Sequence, residues 1–346
     1  MDCKKSERDD GMKKWLLLLT LTVLITTLLI GCGSKDEDEV VGDLSENVQT
    51  LQGYTAKANL VLHTGKEPHE YELETWFKEP EFYRISLTSK ERNMTQIILK
   101  NEEGVFVLTP HLNKSFRFQS GWPENQSQVY LYESLINDIL SDDKRQFSVE
   151  GNEYVFETEA NYQNRTLTRQ KISLTDDLKP SKVEVMDADR NVMVEVAFTE
   201  VNFNPSFEDD AFDMHSNMQG AIKDSLPTMA ENEQEASGSI GSYVPEYLPD
   251  NVELVEEEEV SQDDRTMVVQ RYAGDYHFTL IQERAQSQMV YMPDGQPADL
   301  GFTIGAQGEN SLTWTYDGID FRLASEDLPE EEMQAIAQSV VGQASK

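Results

Sequence analysis

Cysteine is almost missing from this chain: 346 residues contain two, Cys3 and Cys32. A disulfide-stapled miniature fold is thereby excluded, and a chain of this length can build its own core. Basic residues are also scarce, 29 Lys+Arg against 64 Asp+Glu, giving a formal charge of -35. Nucleic-acid affinity rests on Lys and Arg displacing phosphate counterions, so a nucleic-acid partner is excluded. The five histidines, His63, His69, His111, His215 and His277, are scattered, with neither an HExxH motif nor the short paired spacing of zinc sites. Nucleotide-binding and hydrolase fingerprints such as Walker A, G-x-G-x-x-G and G-x-S-x-G are absent.

Three weaker patterns do not amount to sites. Ser141-Asp142-Asp143-Lys144 has the bare S-x-x-K spacing of some acyl-transfer enzymes, but no companion S-D-N or K-T-G accompanies it. Asp187, Asp189 and Asn191 begin like a calcium loop, yet Val192 stands where the sharp turn needs Gly, and Phe198 where the bidentate Glu belongs. That segment reads as a hairpin turn. The run Glu256 to Glu259 reads as a solvated surface. The expectation is a non-enzyme with no catalytic residue, no metal and no cofactor.

Long apolar runs are absent save one, residues 15–30, preceded by Lys13 and Lys14. It is short for a spanning helix and right for the core of a secretory signal. It meets Leu29-Ile30-Gly31-Cys32, which is similar to the bacterial lipobox. Residues 1–31 therefore read as a lipoprotein signal peptide, with translation starting at Met1 or at Met12. Cys32 is expected to carry the diacylglyceryl and palmitate chains, and residues 32–43 to form a solvated tether. Each buried methylene contributes about 0.8 kcal/mol, so two or three acyl chains anchor a protein firmly. The expected location is the extracytoplasmic face of the cell membrane.

Alternation with period two dominates the chain beyond residue 50. It predicts strands at residues 54–62, 71–77, 83–87, 95–99, 105–108 and 114–118, after a short amphipathic stretch at 44–51. A helix is predicted over 130–140, with Leu131, Leu135, Ile136, Ile139 and Leu140 on one side and Ser127 as its cap. Strands at 147–149, 153–159, 167–174, 182–186 and 192–203 bring the total to eleven. So many consecutive strands predict a curled antiparallel sheet over residues 44–214, with the helix as a lid. Residues 215–243 read as a linker. Residues 244–346 read as a smaller α+β domain, with strands near 252–257, 267–273, 276–282, 302–304, 311–316 and 321–323, an Asp317-Gly318 hairpin and a closing helix over 330–341.

The anchored leader, the curled sheet and the segment Gly121-Trp122-Pro123-Glu124-Asn125-Gln126-Ser127-Gln128-Val129-Tyr130-Leu131 resemble the LolA/LolB/RseB-type lipoprotein-sorting family. Within it, the likeness is closest to YdcC-type sporulation lipoproteins of Gram-positive bacilli. The second block, with Pro245-Glu246-Tyr247-Leu248-Pro249 and Trp314-Thr315-Tyr316-Asp317-Gly318-Ile319, is similar to the small carboxy-terminal domains of RseB-type regulators. The resemblance implies an incomplete β-barrel with a helical lid, holding acyl chains in an apolar concavity, and no catalytic residues. It also implies a role in sporulation. A tether at Cys32 departs from the soluble shuttling carriers.

The expected function is binding of an acyl chain, a lipoprotein lipid or an acylated peptide in that concavity. Strand alternation and the lid nominate Leu60, Leu62, Leu73, Trp76, Ile85, Leu87, Ile97, Leu99, Phe106, Leu135 and Ile139 as its lining. Such residues serve equally as ordinary core. The alternative is a regulatory interaction module that binds a membrane-bound signalling protein.

Overall fold

A computed structural model describes residues 35–63, 68–118, 128–162, 166–225, 243–262, 265–286 and 295–340. The expected signal peptide, Cys32, the 121–127 segment and the expected Ser127 cap lie outside the described residues, as do 226–242. Two compact units are distinguished, Met1–Asp43 and Leu44–Lys346. In the first, Lys35 pairs with Asp43, and helix α1 (Glu37–Thr50) begins. This helix starts earlier than the amphipathic stretch at 44–51 and occupies part of the expected tether. Its start is set locally: Asp36 Oδ1 accepts the N–H of Glu39 at 3.0 Å, and Glu37, Asp38 and Glu39 sit at the positive end of the helix dipole.

The second unit holds two antiparallel sheets. The first has eleven strands in the order β6-β5-β4-β3-β2-β1-β11-β10-β9-β8-β7. They are β1 (Gly53–Leu62), β2 (His69–Lys78), β3 (Phe82–Ser89), β4 (Thr95–Asn101), β5 (Gly104–Thr109), β6 (Lys114–Phe118), β7 (Gln146–Glu150), β8 (Glu153–Glu159), β9 (Leu167–Leu174), β10 (Pro180–Asp187) and β11 (Val192–Asn202). Each of the eleven predicted strands is present. β1 to β6 form one meander and β7 to β11 another, joined through the β1–β11 pair, and among the described residues β6 and β7 are the sheet's edges. The sheet does not close into a barrel.

Helix α2 (Tyr132–Ser141) joins the two meanders. It begins later than predicted, with Leu131 in the cap position and no side-chain cap. One orphan donor of its first turn is satisfied from across the fold, where the N–H of Tyr132 donates to the Tyr54 hydroxyl at 3.0 Å. The Asp187 turn is a hairpin, as expected: Asp187 Oδ1 accepts the N–H groups of Asp189 at 2.9 Å and Asn191 at 2.8 Å.

The stretch read as a linker opens with helix α3 (Met214–Ser225). Its Asn, Ser and Gly content gives a low intrinsic helix propensity, which hid it. Asp213 Oδ1 caps it by accepting the N–H of Ser216 at 2.8 Å, and Met218 is buried. Packing outweighs propensity here.

The second sheet has seven strands in the order β12-β13-β14-β18-β17-β16-β15. They are β12 (Glu253–Gln262), β13 (Arg265–Ala273), β14 (Phe278–Arg284), β15 (Gln296–Asp299), β16 (Ile304–Gln307), β17 (Ser311–Tyr316) and β18 (Ile319–Ala324), followed by helix α4 (Glu330–Ser339). β15 was not predicted because Pro297 interrupts its pattern, and proline is tolerated there because β15 is an edge among the described residues. The strand expected at 302–304 lies later, as β16. A turn precedes it, with Leu300 N–H donating to Thr303 at 2.9 Å and Gly301 at φ +82°. Asp317 and Gly318, at φ 54° and 73°, make the predicted tight hairpin between β17 and β18.

Candidate functional site

Strand register decides which predicted lining residues share a face. Leu73 pairs with Leu87, Thr75 with Ile85, Leu60 with Tyr71, and Leu62 with His69. These side chains lie on the inner face, which helix α2 covers at Tyr54 and which Gly301, Phe302 and Tyr316 meet at Leu62, Tyr71 and Leu87. Tyr132 stacks edge-on to Tyr54 at 6.1 Å, and Gln170 Nε2 donates to Asp138 on the helix at 2.6 Å. Leu135 and Ile139 enter from the helix side. Leu60, Leu62, Leu73, Ile85, Leu87, Leu135 and Ile139 are each at most 3 % exposed. A cavity wide enough for an acyl chain would leave its walls with surface that a water-sized sphere can touch. Here these walls are in contact with other protein atoms, and a side chain added at Gly301 would meet Leu62.

Trp76, Ile97, Leu99 and Phe106 do not join them. Trp76 pairs with Arg84, Arg84 with Leu99, and Leu99 with Phe106, which places these side chains on the opposite face. There Ile97, Leu99, Phe106 and Leu108 form a second buried cluster with Phe212 and Met218. Trp76, Phe82, Phe207, Ala211 and Met214 pack around it. The first sheet is therefore covered on both faces over β4 and β5. The sequence carries a signal for this, since Ile97-Ile98-Leu99 and Val105-Phe106-Val107-Leu108 are continuous apolar runs, the mark of strands buried on both sides.

Beside the second cluster an open groove of about 690 Å³ lies between the outer face of β1 to β4 and the segment 206–220. No sequence argument located it. Its floor carries Thr55, Lys57, Glu74, Trp76, Arg84, Ser86, Thr88 and Thr95, and its rim Glu200, Glu208 and Asp210. Arg84 is the organising group. Its guanidinium lies 4.3 Å from the Trp76 ring centre, Nη1 is 2.9 Å from Glu74, and Nε donates to Asn217 Oδ1 at 2.6 Å. Asn217 in turn donates to the carbonyls of Ala211 at 2.9 Å and Asp213 at 2.8 Å. The segment that walls the groove is thus hydrogen-bonded to its floor. The N–H of Ser216 holds the Asp213 carboxyl below the usual carboxylate range.

Two buried carboxyls flank the α2-covered face. Burial pushes Glu133 up, and its oxygens make no hydrogen bond of normal geometry, with the Tyr83 and Tyr54 phenols offsetting only part of the cost. Burial also raises Asp299, against the N–H of Gly301 at 2.7 Å and the Tyr130 hydroxyl at 3.1 Å. The two sheets are bridged by Lys114, whose Nζ lies 2.5 Å and 2.6 Å from the two Asp320 oxygens, and by an Arg92–Asp317 pair. Among the described residues no cluster of His, Cys, Asp and Glu suits a metal ion, and no helix is long and apolar enough to cross a membrane.

A family model described as "Sporulation protein YdcC-like" matches residues 12–212. The chain belongs to that family. It is 44% identical over 340 residues to "Sporulation protein YdcC" of Bacillus subtilis (strain 168), covering 96% of this chain and 98% of the relative. Among solved structures, the Pseudomonas aeruginosa MucA/MucB complex is 12% identical with a TM-score of 0.34, over 87% of this chain and 96% of that chain. A putative outer membrane lipoprotein-sorting protein domain from Vibrio parahaemolyticus is 14% identical with a TM-score of 0.31, over 52% of this chain and 97% of that chain. The span shared with the YdcC-like family ends at Phe212, so it includes all eleven strands of the first sheet and the first aromatics of the segment that covers its outer face.

Proposed function

We propose that this member of the YdcC-like family is an extracytoplasmic, membrane-anchored interaction module acting in sporulation. Cys32 carries the lipid anchor, and a segment of a partner protein docks in the outer groove. The observation behind this reading is the contrast between the two faces. The face under α2 is filled by Leu60, Leu62, Leu73, Ile85, Leu87, Leu135 and Ile139, which favours a core over a standing acyl cavity. The outer groove stays open, at a volume typical of ligand sites, with a mixed lining of hydroxyls, Trp76 and charged groups. Such a lining suits a peptide better than an acyl chain, whose burial gains only from apolar surface. Residues 44–225, with helix α3 as the groove wall, then form the binding module, and residues 244–346 a smaller carboxy-terminal domain.

The test uses residues 33–346 for lipid and the anchored protein for partners. Native mass spectrometry with lipid extraction should find the soluble form empty, and a fluorescent fatty acid should not bind it. A photo-crosslinking residue at Thr88, within the groove, should yield a discrete protein adduct in sporulating cells. Co-purified lipid that is lost in Leu62→Trp, with no adduct from Thr88, would reverse the assignment in favour of an acyl carrier.

A further inference from the structure

We propose that the free edge of β12 is a docking site for an extended, basic polypeptide segment, which adds to the second sheet as an eighth strand. This surface is independent of the groove. β12 spans ten residues, and among the described residues it pairs only with β13. Its other side presents a row of backbone N–H and C=O groups, the template onto which a further strand adds. Residues 253–259 are all exposed, so neither face of this strand is covered by the core.

Edges are commonly blunted by shortness, proline, lysine or a bulge. β12 has a register shift between Leu254 and Glu256, but it is long and holds no proline or lysine. It also keeps apolar groups in water, with Leu254 39% and Val255 57% exposed, two of the four large hydrophobics exposed among the described residues.

Charge selects the occupant. Glu253 and Glu256 to Glu259 line the strand. Arg271 on β13 answers Glu256 at 2.5 Å and Glu258 at 3.8 Å, and Glu257 accepts from Gln270 at 2.8 Å. Glu253 and Glu259 have no ion pair among the described residues. A second copy of this chain would set one glutamate run against another, and like charges directly opposite are unfavourable in a sheet. The 226–242 stretch carries Glu231, Glu233 and Glu235 and is disfavoured for the same reason. A strand with Lys or Arg at alternate positions meets opposite charge along its length, and its apolar residues cover Leu254 or Val255.

The experiment uses the intact chain in detergent and three labelled ten-residue peptides: alternating Lys and Val, alternating Glu and Val, and a Lys/Val peptide of equal charge interrupted by two prolines. The expected result is binding of the Lys/Val peptide by anisotropy, with hydrogen-exchange protection centred on residues 253–262. The proline-interrupted peptide should bind at least tenfold more weakly, because it cannot form the ladder. Reversal of exposed charges in Glu253→Lys/Glu258→Lys/Glu259→Lys should weaken the Lys/Val peptide tenfold or more and admit the Glu/Val peptide. Equal binding of the straight and interrupted peptides would reduce the effect to general attraction to an acidic protein and overturn the proposal. Slow exchange along the outer edge of β12 in the free chain, or a dimer abolished by the charge reversal, would also overturn it.

Discussion

Replacing Lys114 with Met probes what holds the two sheets of the second unit together. Lys114 is 4% exposed, and its ammonium meets both oxygens of Asp320 on β18 at 2.5 Å and 2.6 Å, with the Phe116 ring centre 4.8 Å away. Asp320 has a second partner, the Thr315 hydroxyl at 2.6 Å, and its side chain is 25% exposed. Breaking a buried ion pair by removing one partner costs about 3–5 kcal/mol, because the remaining charge is stranded. Asp320 keeps Thr315 and some contact with water, so Lys114→Met should cost the lower part of that range or slightly less, about 2–3 kcal/mol. Asp320→Leu strands an ammonium with almost no access to water and should cost more. The double variant removes both charges and should cost less than the sum of the single effects, since an apolar pair of similar volume is often neutral. Urea denaturation measures all three, with an unchanged slope showing that the unfolded surface is the same. A loss below about 1 kcal/mol for Lys114→Met, or strict additivity in the double variant, would refute the bridging role.

Three other outcomes are expected. Leu99→Ala should destabilise by about 2–5 kcal/mol in urea, as a buried member of the outer-face cluster, and a loss under about 1 kcal/mol would place Leu99 outside any packed core. Glu133 is raised by burial above its ordinary 4.5, so its contribution to stability is fully present below that pH and is lost as pH rises through the raised value. Glu133→Gln should therefore be more stable than wild type at pH 8 and no more stable at pH 4. A difference that does not change with pH would contradict the assignment. Arg84→Met removes the bonds to Asn217 and Glu74, and should speed hydrogen exchange across residues 214–225 at a cost of about 1–3 kcal/mol; unchanged exchange there would show that Arg84 does not hold the groove wall.

The candidate site was only half legible in the sequence. Leu73 and Trp76 stand three residues apart on one strand, so alternation alone puts them on opposite faces, and a single cavity cannot take both. The groove left no local mark, because its floor and wall meet through the Arg84–Asn217 contact, 133 residues apart. Helix α3 escaped for a related reason, since burial of Met218 rather than composition makes it a helix. Proline at position 297 concealed a strand whose edge position allows it.

By itself the sequence determined the order and type of most elements of this protein, because period-two alternation and turn residues such as Asp317-Gly318 act locally. It also determined the strongly acidic net charge and the single apolar run at residues 15–30. Tertiary structure alone decided that α2 and the residues around Gly301 and Tyr316 share the cover of the inner face, that residues 207–218 cover the outer face and leave a groove beside it, and that β12 ends its sheet with no further strand among the described residues. These depend on contacts between residues far apart in the chain, which no local pattern records.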